Sequence, residues 1–391
     1  MQALAAAGGV SRYVGGCVRN ALLDRAVDDV DIATTLEPAQ TMKALENAGI
    51  KAIATGLAHG TVTAVAKGRH FEVTTLRRDA EAFGRKARVE YTDDWLEDAA
   101  RRDFTFNALY CDADGTLYDP FDGRADLVAG RVRFVGQASA RIAEDYLRAF
   151  RFFRFLAWYG RPPVDEEAME AIAQAAPRLN GLSGERVQKE MLRLLAAADP
   201  APALALMHEA GVFVHWLPEF DGTGLLQGLL RIEAANGIEP ESLRRLAALL
   251  EDEADAAAVA ERWKTSRAAR ERLEAALREE PQIVDIGAAA MRALIYRCGN
   301  RSTLDRLMLH AARARIGVSH PALVAALDLA RHWQAPTLPI GGADVIESGL
   351  ATGVAVGRLL DAVEEWWIAG DFAADREACL AQLGKAAAGD A

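Results

Sequence analysis

The chain has 391 residues, a formal net charge of −11 and a hydrophobic share of 51%, enough length and apolar content for two or three domains with sizeable cores. No apolar run approaches the ~18 residues of a membrane span, and no signal peptide is expected ahead of the first motif. Cys17, Cys111, Cys298 and Cys379 are scattered without C-x-x-C spacing, which argues against a structural zinc and fits unpaired thiols in a reducing cytoplasm.

The first motif spans residues 13–35. Tyr13 and Val14 read as a strand, Gly15-Gly16 as a turn, and Val18, Ala21 and Leu22 as one face of a helix. A second strand is expected over residues 28–33. Its alternation puts Asp29 and Asp31 on one face and Val30 and Ile32 on the other. Two carboxylates at that spacing form a clamp for a hard cation such as Mg²⁺ holding phosphates. The glycine pair lets backbone approach a phosphate chain, and the helix start with Arg19 supplies positive potential. These are the parts of a phosphoryl or nucleotidyl transfer site. Each alone is also an ordinary surface strand or turn; the order and close packing of all of them carry the reading.

Residues 38–48 read as a helix that opens on Pro38 and stops at Gly49. Residues 60–66 and 70–76 read as a hairpin through Lys67-Gly68-Arg69. Residues 79–97 are charged and aperiodic and read as a mobile loop. Next comes Arg101-Arg102-Asp103-Phe104-Thr105-Phe106-Asn107-Ala108. Residues 119–130, DPFDGRADLVAG, read as turn chemistry followed by a short helix. Residues 141–155, RIAEDYLRAFRFFRF, read as one helix in which Asp145, Arg148, Arg151 and Arg154 recur at i+3 as a polar ridge. Beyond Gly160 the chain reads as helical to its end: Ser183 is placed as an N-cap, residues 254–277 as a scaffold helix, and the tail from Gly384 as frayed.

GGCVRNALLDRAVDDVDIAT resembles the signature GG-x-VR-(N/D)-x-LL, spacer, D-x-D of the class II nucleotidyltransferases, the bacterial-type CCA-adding tRNA nucleotidyltransferases and their poly(A) polymerase relatives. Asn20 stands where Asp is commoner, and Asp24 where glycine is usual. RRDFTFNA, DPFDGRADLVAG, EDYLRAFRFFRF and LSGERVQKE are similar to further motifs of that family, and residues 339–372 resemble its C-terminal module. The resemblance implies an α+β fold: a polymerase-β-like head with a mixed sheet plus helices (1–136), a helical neck with a base-template helix (137–195), and an all-α body and tail that bind tRNA (196–391).

The implied reaction is attack by a tRNA 3′-hydroxyl on the α-phosphate of CTP or ATP, with release of pyrophosphate. Asp29 and Asp31 would hold two Mg²⁺ ions, with Glu72 as a third catalytic carboxylate. Gly16, Arg19 and Arg102 would bind the triphosphate and Asp103 a ribose hydroxyl, while Asp145, Arg148, Arg151 and Arg154 would line the base pocket. The rivals are a poly(A) polymerase, an enzyme adding only C or only A, and a non-catalytic helical RNA-binding protein. Neither a membrane nor an obligate protein partner is expected. Residues 1–160 carry 21 Lys/Arg against 22 Asp/Glu, and the remainder 24 against 34. The acidity therefore lies in the part expected to bind RNA, and contact there must rest on a local basic strip and on shape.

Overall fold

The computed structural model describes residues 1–79, 89–278, 283–349 and 353–389. The chain forms two compact units, Met1–Pro218 and Glu219–Ala391.

The first unit is built on a seven-stranded mixed sheet of order β3-β4-β5-β2-β1-β8-β9. Its strands are β1 (Ser11–Val14), β2 (Val30–Thr34), β3 (Lys51–Gly56), β4 (Thr61–Ala66) and β5 (Arg69–Thr75), then, after the small antiparallel pair β6 (Arg77–Asp79) and β7 (Val89–Tyr91), β8 (Tyr110–Cys111) and β9 (Leu117–Tyr118). β2 and β5 run parallel and set Asp31 opposite Glu72; the other neighbours are antiparallel. The hairpin turns on Lys67 and Gly68, both at positive φ (51° and 73°), the pairing that suits two-residue hairpin loops. One sheet edge is β3, whose register with β4 shifts between Ile53 and Gly56. The other edge, β9, is two residues long.

Alternation along β2 sends Ile32 into a core with Leu4, Leu45, Val62 and Val73, under helices α1 (Gln2–Ala6) and α3 (Pro38–Asn47). Ala33 goes to the opposite core with Val14, Leu76, Ala99 and Tyr110. By the same parity Asp31 shares the Ala33 face. Helix α2 (Gly16–Leu22) follows β1 directly, and the buried Cys17 thiol donates to the Val14 carbonyl (3.3 Å), tying the helix start to the strand end. All four cysteines are unpaired.

Three sequence expectations change here. Asp29 lies just ahead of β2 and is exposed, not on the strand. The stretch 79–97 is ordered at both ends by β6, β7 and helix α4 (Trp95–Ala100), which Asp94 caps at Leu96 N (2.8 Å); residues 80–88 lie outside the described residues. The helix expected over 141–155 is two helices, α6 (Ala138–Glu144) and α7 (Leu147–Tyr159), following α5 (Gly123–Ala129). The break is at Asp145, whose backbone is extended (φ −152°) and whose Oδ1 accepts from Leu147 N (3.1 Å). A short carboxylate satisfies the free N–H groups of a new helix better than it serves a helix interior.

An aromatic cluster joins the RRDFTF segment to α7. Phe104 packs on Phe134 (4.6 Å between centroids) and on Phe155 (5.1 Å), and Phe106 on Phe155 (5.3 Å). Gly123 is required there, because a Cβ would fall 2.2 Å from the Thr105 carbonyl oxygen. Asp119 caps α5 at Gly123 N (2.7 Å), and Asp126 accepts from the Thr105 hydroxyl (2.7 Å), so this element buttresses the motif as its turn chemistry implies. Helices α8 (Glu166–Ala175), α9 (Gly184–Leu195), α10 (Ala201–Glu209) and α11 (Phe213–Trp216) complete the unit. Ser183 holds the N-cap position of α9, but its hydroxyl makes no capping bond.

The second unit is helical in its described residues. The scaffold expected over 254–277 is two helices, Glu253–Arg262 and Arg267–Leu277, separated at Lys264 (φ 55°) with Ser266 capping the second. Its interior holds a buried ionic group: Glu233 accepts from both Arg244 and Arg245, and Asp305 from Arg272. The last helix, Arg376–Ala388, runs through Gly384 instead of fraying there.

Candidate active site

A cleft of about 770 Å³ opens in the first unit between the glycine turn, the RRDFTFNA segment and α7. Its floor is the turn itself. Gly15 adopts φ 71°, ψ −123°, a conformation closed to side-chain-bearing residues, and a Cβ there would sit 3.5 Å from Arg102 Nη1. The turn thus leaves bare backbone facing a guanidinium.

Arg19, one turn into α2, is buried in the cleft wall. Its partners are neutral: Nη1 donates to Asn107 Oδ1 (2.5 Å), Nη2 to Asn20 Oδ1 (3.1 Å), and the guanidinium lies against the Tyr159 ring (4.6 Å). Burial pulls its pKa below the ordinary value, with Tyr159 and Asp103 opposing. A buried guanidinium held by amides retains its charge for an anion.

Arg102 is placed by a carboxylate that the motif reading did not single out. Asp98, 1% exposed, accepts from Arg102 Nη2 (3.0 Å), Tyr110 Oη (2.7 Å), Arg101 Nε (2.8 Å) and Arg77 N (3.2 Å). Burial alone would raise the Asp98 pKa; Arg102 and Arg101 outweigh it and bring it to about 2. The signal for Asp98 in the sequence is its i+3 and i+4 spacing to Arg101 and Arg102.

Asp103 is fully engaged within the protein. Oδ1 accepts from Phe104 N and Asn107 Nδ2 (both 2.9 Å), and Oδ2 from Arg151 Nε (2.7 Å) and Nη2. Burial would raise its pKa, but Arg151 and Asn107 hold it below the usual carboxylate range. From Arg151 the network continues to α9. Glu190, buried, lies 2.7 Å from Arg154 Nη1, an ion pair off the hydrogen-bonding direction. Arg19, Asn107, Asp103, Arg151, Glu190 and Arg154 therefore form one polar chain across four segments of sequence. Burial lowers the Arg154 pKa to about 10, with Glu190 opposing.

Asp31 lines the cleft half-buried, while Asp29 and Glu72 are exposed and do not line it. Burial, then Glu72 and, more weakly, Asp29 raise the Asp31 pKa, and Arg102 opposes. Among the described residues no group of three His, Cys, Asp or Glu side chains is gathered closely enough to cage a metal alone. Oxygen-only donors beside Arg102 and the glycine turn still suit Mg²⁺, which takes one or two carboxylates and completes its shell with water and substrate phosphate.

Asp145 and Arg148 do not line the cleft and are not paired side chain to side chain. Asp145 Oδ2 accepts from Arg186 (2.7 Å), and Arg148 Nη1 donates to Glu144 (2.6 Å). Gly16, Arg19, Arg102, Asp103, Arg151 and Arg154 do line it. Asn107, Tyr110, Asp98 and Glu190 are the supporting residues that pattern reading left without a role.

A family model for the poly A polymerase head domain matches residues 11–133, and one described as the probable RNA and SrmB-binding site of polymerase A matches residues 163–223. The mitochondrial CCA tRNA nucleotidyltransferase 1 of Danio rerio is 33% identical over 388 residues, covering 95% of this chain and 86% of its own. The CCA-adding enzyme of Limosilactobacillus fermentum is 29% identical over 384 residues, covering 97% and 94%. The crystal structure of the Bacillus stearothermophilus CCA-adding enzyme in complex with CTP is similar with a TM-score of 0.75 at 30% identity, over 98% of this chain and 95% of that one. On these likenesses the chain belongs to the family of CCA-adding tRNA nucleotidyltransferases and poly(A) polymerases.

Proposed function

We propose that this chain adds C and A residues to the 3′ end of tRNA from CTP and ATP without a nucleic-acid template, releasing pyrophosphate. The observation that carries the reading is the cleft itself. It joins a bare glycine turn, the amide-held Arg19, the aimed Arg102 and the carboxylate of Asp31. A triphosphate chain complements the first three, and Asp31, lining the same cleft, would help activate a hydroxyl nucleophile.

Asp29 and Asp31, with Glu72 on the neighbouring strand, would hold two Mg²⁺ ions, which when bound supply charge neutralisation and a more acidic hydroxyl. Gly16 N–H, Arg19 and Arg102 bind and orient the triphosphate. Asp103 acts through Arg151 and Asn107, whose positions it fixes, so its contribution is to hold the binding cations in place. The division into head (1–136), neck (137–195), and body and tail (196–391) is retained as a proposal. A cytoplasmic setting is proposed on the four unpaired thiols.

Asp145 and Arg148 are proposed as the template for the base. A carboxylate that accepts beside a guanidinium that donates matches the N4/N3 edge of cytosine and the N6/N1 edge of adenine, and opposes the reversed edges of uracil and guanine. To meet a base, Asp145 exchanges Arg186, and Arg148 exchanges Glu144. The experiment is incorporation of each of the four NTPs into tRNA lacking its 3′ end by wild type, Asp145→Ala and Arg148→Ala. CTP and ATP together should give the full CCA end, and both variants should lose discrimination by about 10-fold or more. Long A tracts from ATP alone would favour a poly(A) polymerase, and unchanged selectivity in both variants would move the template elsewhere.

A further inference from the structure

One stretch of the cleft wall is unused by that reading. Arg19 and Arg25 both lie against the Tyr159 ring, at 4.6 and 4.7 Å. Arg25 Nη2 donates to the Trp158 carbonyl (3.2 Å), and Trp158 Nε1 donates to the Arg193 carbonyl (2.7 Å). Arg25, Trp158 and Arg193 thus extend the wall beyond the triphosphate residues, and all three line the same cleft.

Trp158 sits at the last turn of α7 and is 38% exposed. Its one polar atom is already satisfied by Arg193, so the part facing solvent is ring. That hydrogen bond also fixes the ring's orientation. Arg25 and Arg193 are exposed, and neither has a carboxylate partner among the described residues. A fixed flat ring in a cleft wall that also carries two guanidiniums without carboxylate partners complements a base and its flanking phosphates, the chemistry of a single-stranded polynucleotide. Within the proposed reaction two substrates must meet beside Asp31. The triphosphate takes Gly16, Arg19 and Arg102, which leaves this stretch for the second.

We propose that Trp158, Arg25 and Arg193 seat the last unpaired nucleotides of the acceptor RNA, the ring stacking on a base and the guanidiniums meeting backbone phosphates. This rests on the cleft being the nucleotidyl transfer site. The seat positions the attacking strand and takes no part in bond making.

The test compares wild type, Trp158→Ala, Trp158→Phe and Arg193→Ala with a tRNA ending in CC and ATP. Trp158→Ala should raise KM for this tRNA by about 10- to 100-fold and leave the Kd of ATP measured without tRNA unchanged. Trp158→Phe, which keeps a stacking face, should recover most of the loss. Arg193→Ala should raise KM several-fold and reduce the salt slope of tRNA binding by about one. Unchanged tRNA KM in Trp158→Ala and Arg193→Ala overturns the seat, and so does a parallel rise in the ATP Kd, which would assign the ring to the nucleotide. A binding arm separates this from the activity itself. Wild type should bind the tRNA ending in CC more tightly than the same tRNA lacking both C residues, and Trp158→Ala should abolish that difference. Should wild type add no nucleotide at all, the activity reading fails, and the binding difference alone decides the seat. If Trp158→Ala does not fold, the surface variant Arg193→Ala decides it by the same two readouts.

Discussion

Asp98 shows how much of this site depends on a buried residue that does not line the cleft. It aims Arg102 at the glycine turn and does so as a buried anion with a pKa near 2. A carboxyl depressed in the folded state stabilises above its unfolded pKa of about 4 and loses that contribution as pH falls through its folded value. Wild type should therefore lose about 2 kcal/mol between about pH 4 and about pH 2 that an Asp98→Asn protein does not lose, read from urea unfolding across that range. Asp29→Asn and Asp31→Asn address the chemistry instead. Each removes one charge from the proposed metal clamp and should lower nucleotide addition by more than about 100-fold with melting unchanged. Near-normal turnover in a folded variant would refute the clamp. Asp31 and Arg19 were legible as cleft residues because their motif is local, inside residues 13–35, whereas Asp29, read onto the same strand face, lies ahead of β2 and outside the cleft. Asp98 and Asn107 were not, because each takes its role from partners across the fold: Tyr110 for one, Arg19 for the other.

The polar chain through Arg151, Arg154 and Glu190 links α7 to α9 and, beside the aromatic cluster, to the RRDFTFNA segment. Removing Glu190 leaves Arg154 buried without its counter-charge, which costs about 3–5 kcal/mol. Glu190→Ala should lower the melting temperature markedly, with Glu190→Gln intermediate; thermal unfolding of both variants checks this. The break between α6 and α7 was hidden because residues 141–155 contain neither Gly nor Pro, the usual breakers, and Asp145 acts through its side chain. β3 was missed for a different reason. It is an edge strand with little burial and no apolar alternation, so its pairing with β4, not its own composition, makes it a strand. The 67–69 hairpin and α3 were legible because turn and cap residues act at short range.

At the scale of the whole molecule, charge constrains how RNA is held. Residues 161–391 carry ten more acidic than basic groups, so few phosphates can be met at once. tRNA affinity should fall with salt along a slope shallower than about −4, the value that four or five duplex phosphate contacts would give. Binding titrations across a salt series measure it, and a slope near that of a strongly basic DNA-binding protein would contradict the reading.

The two open edges of the head sheet carry a consequence for life in a crowded cell. A sheet edge is a row of unpaired amides and carbonyls that invites a strand from another chain. Here β9 offers two residues, too few to hold a visitor, and β3 opens on Lys51 and slips register before Gly56. A polymerising contact between copies would have to start from a stub or from a strand that opens on a lysine and slips register. The first unit can therefore keep an unclosed sheet, with the candidate site at its centre, without stacking into fibres.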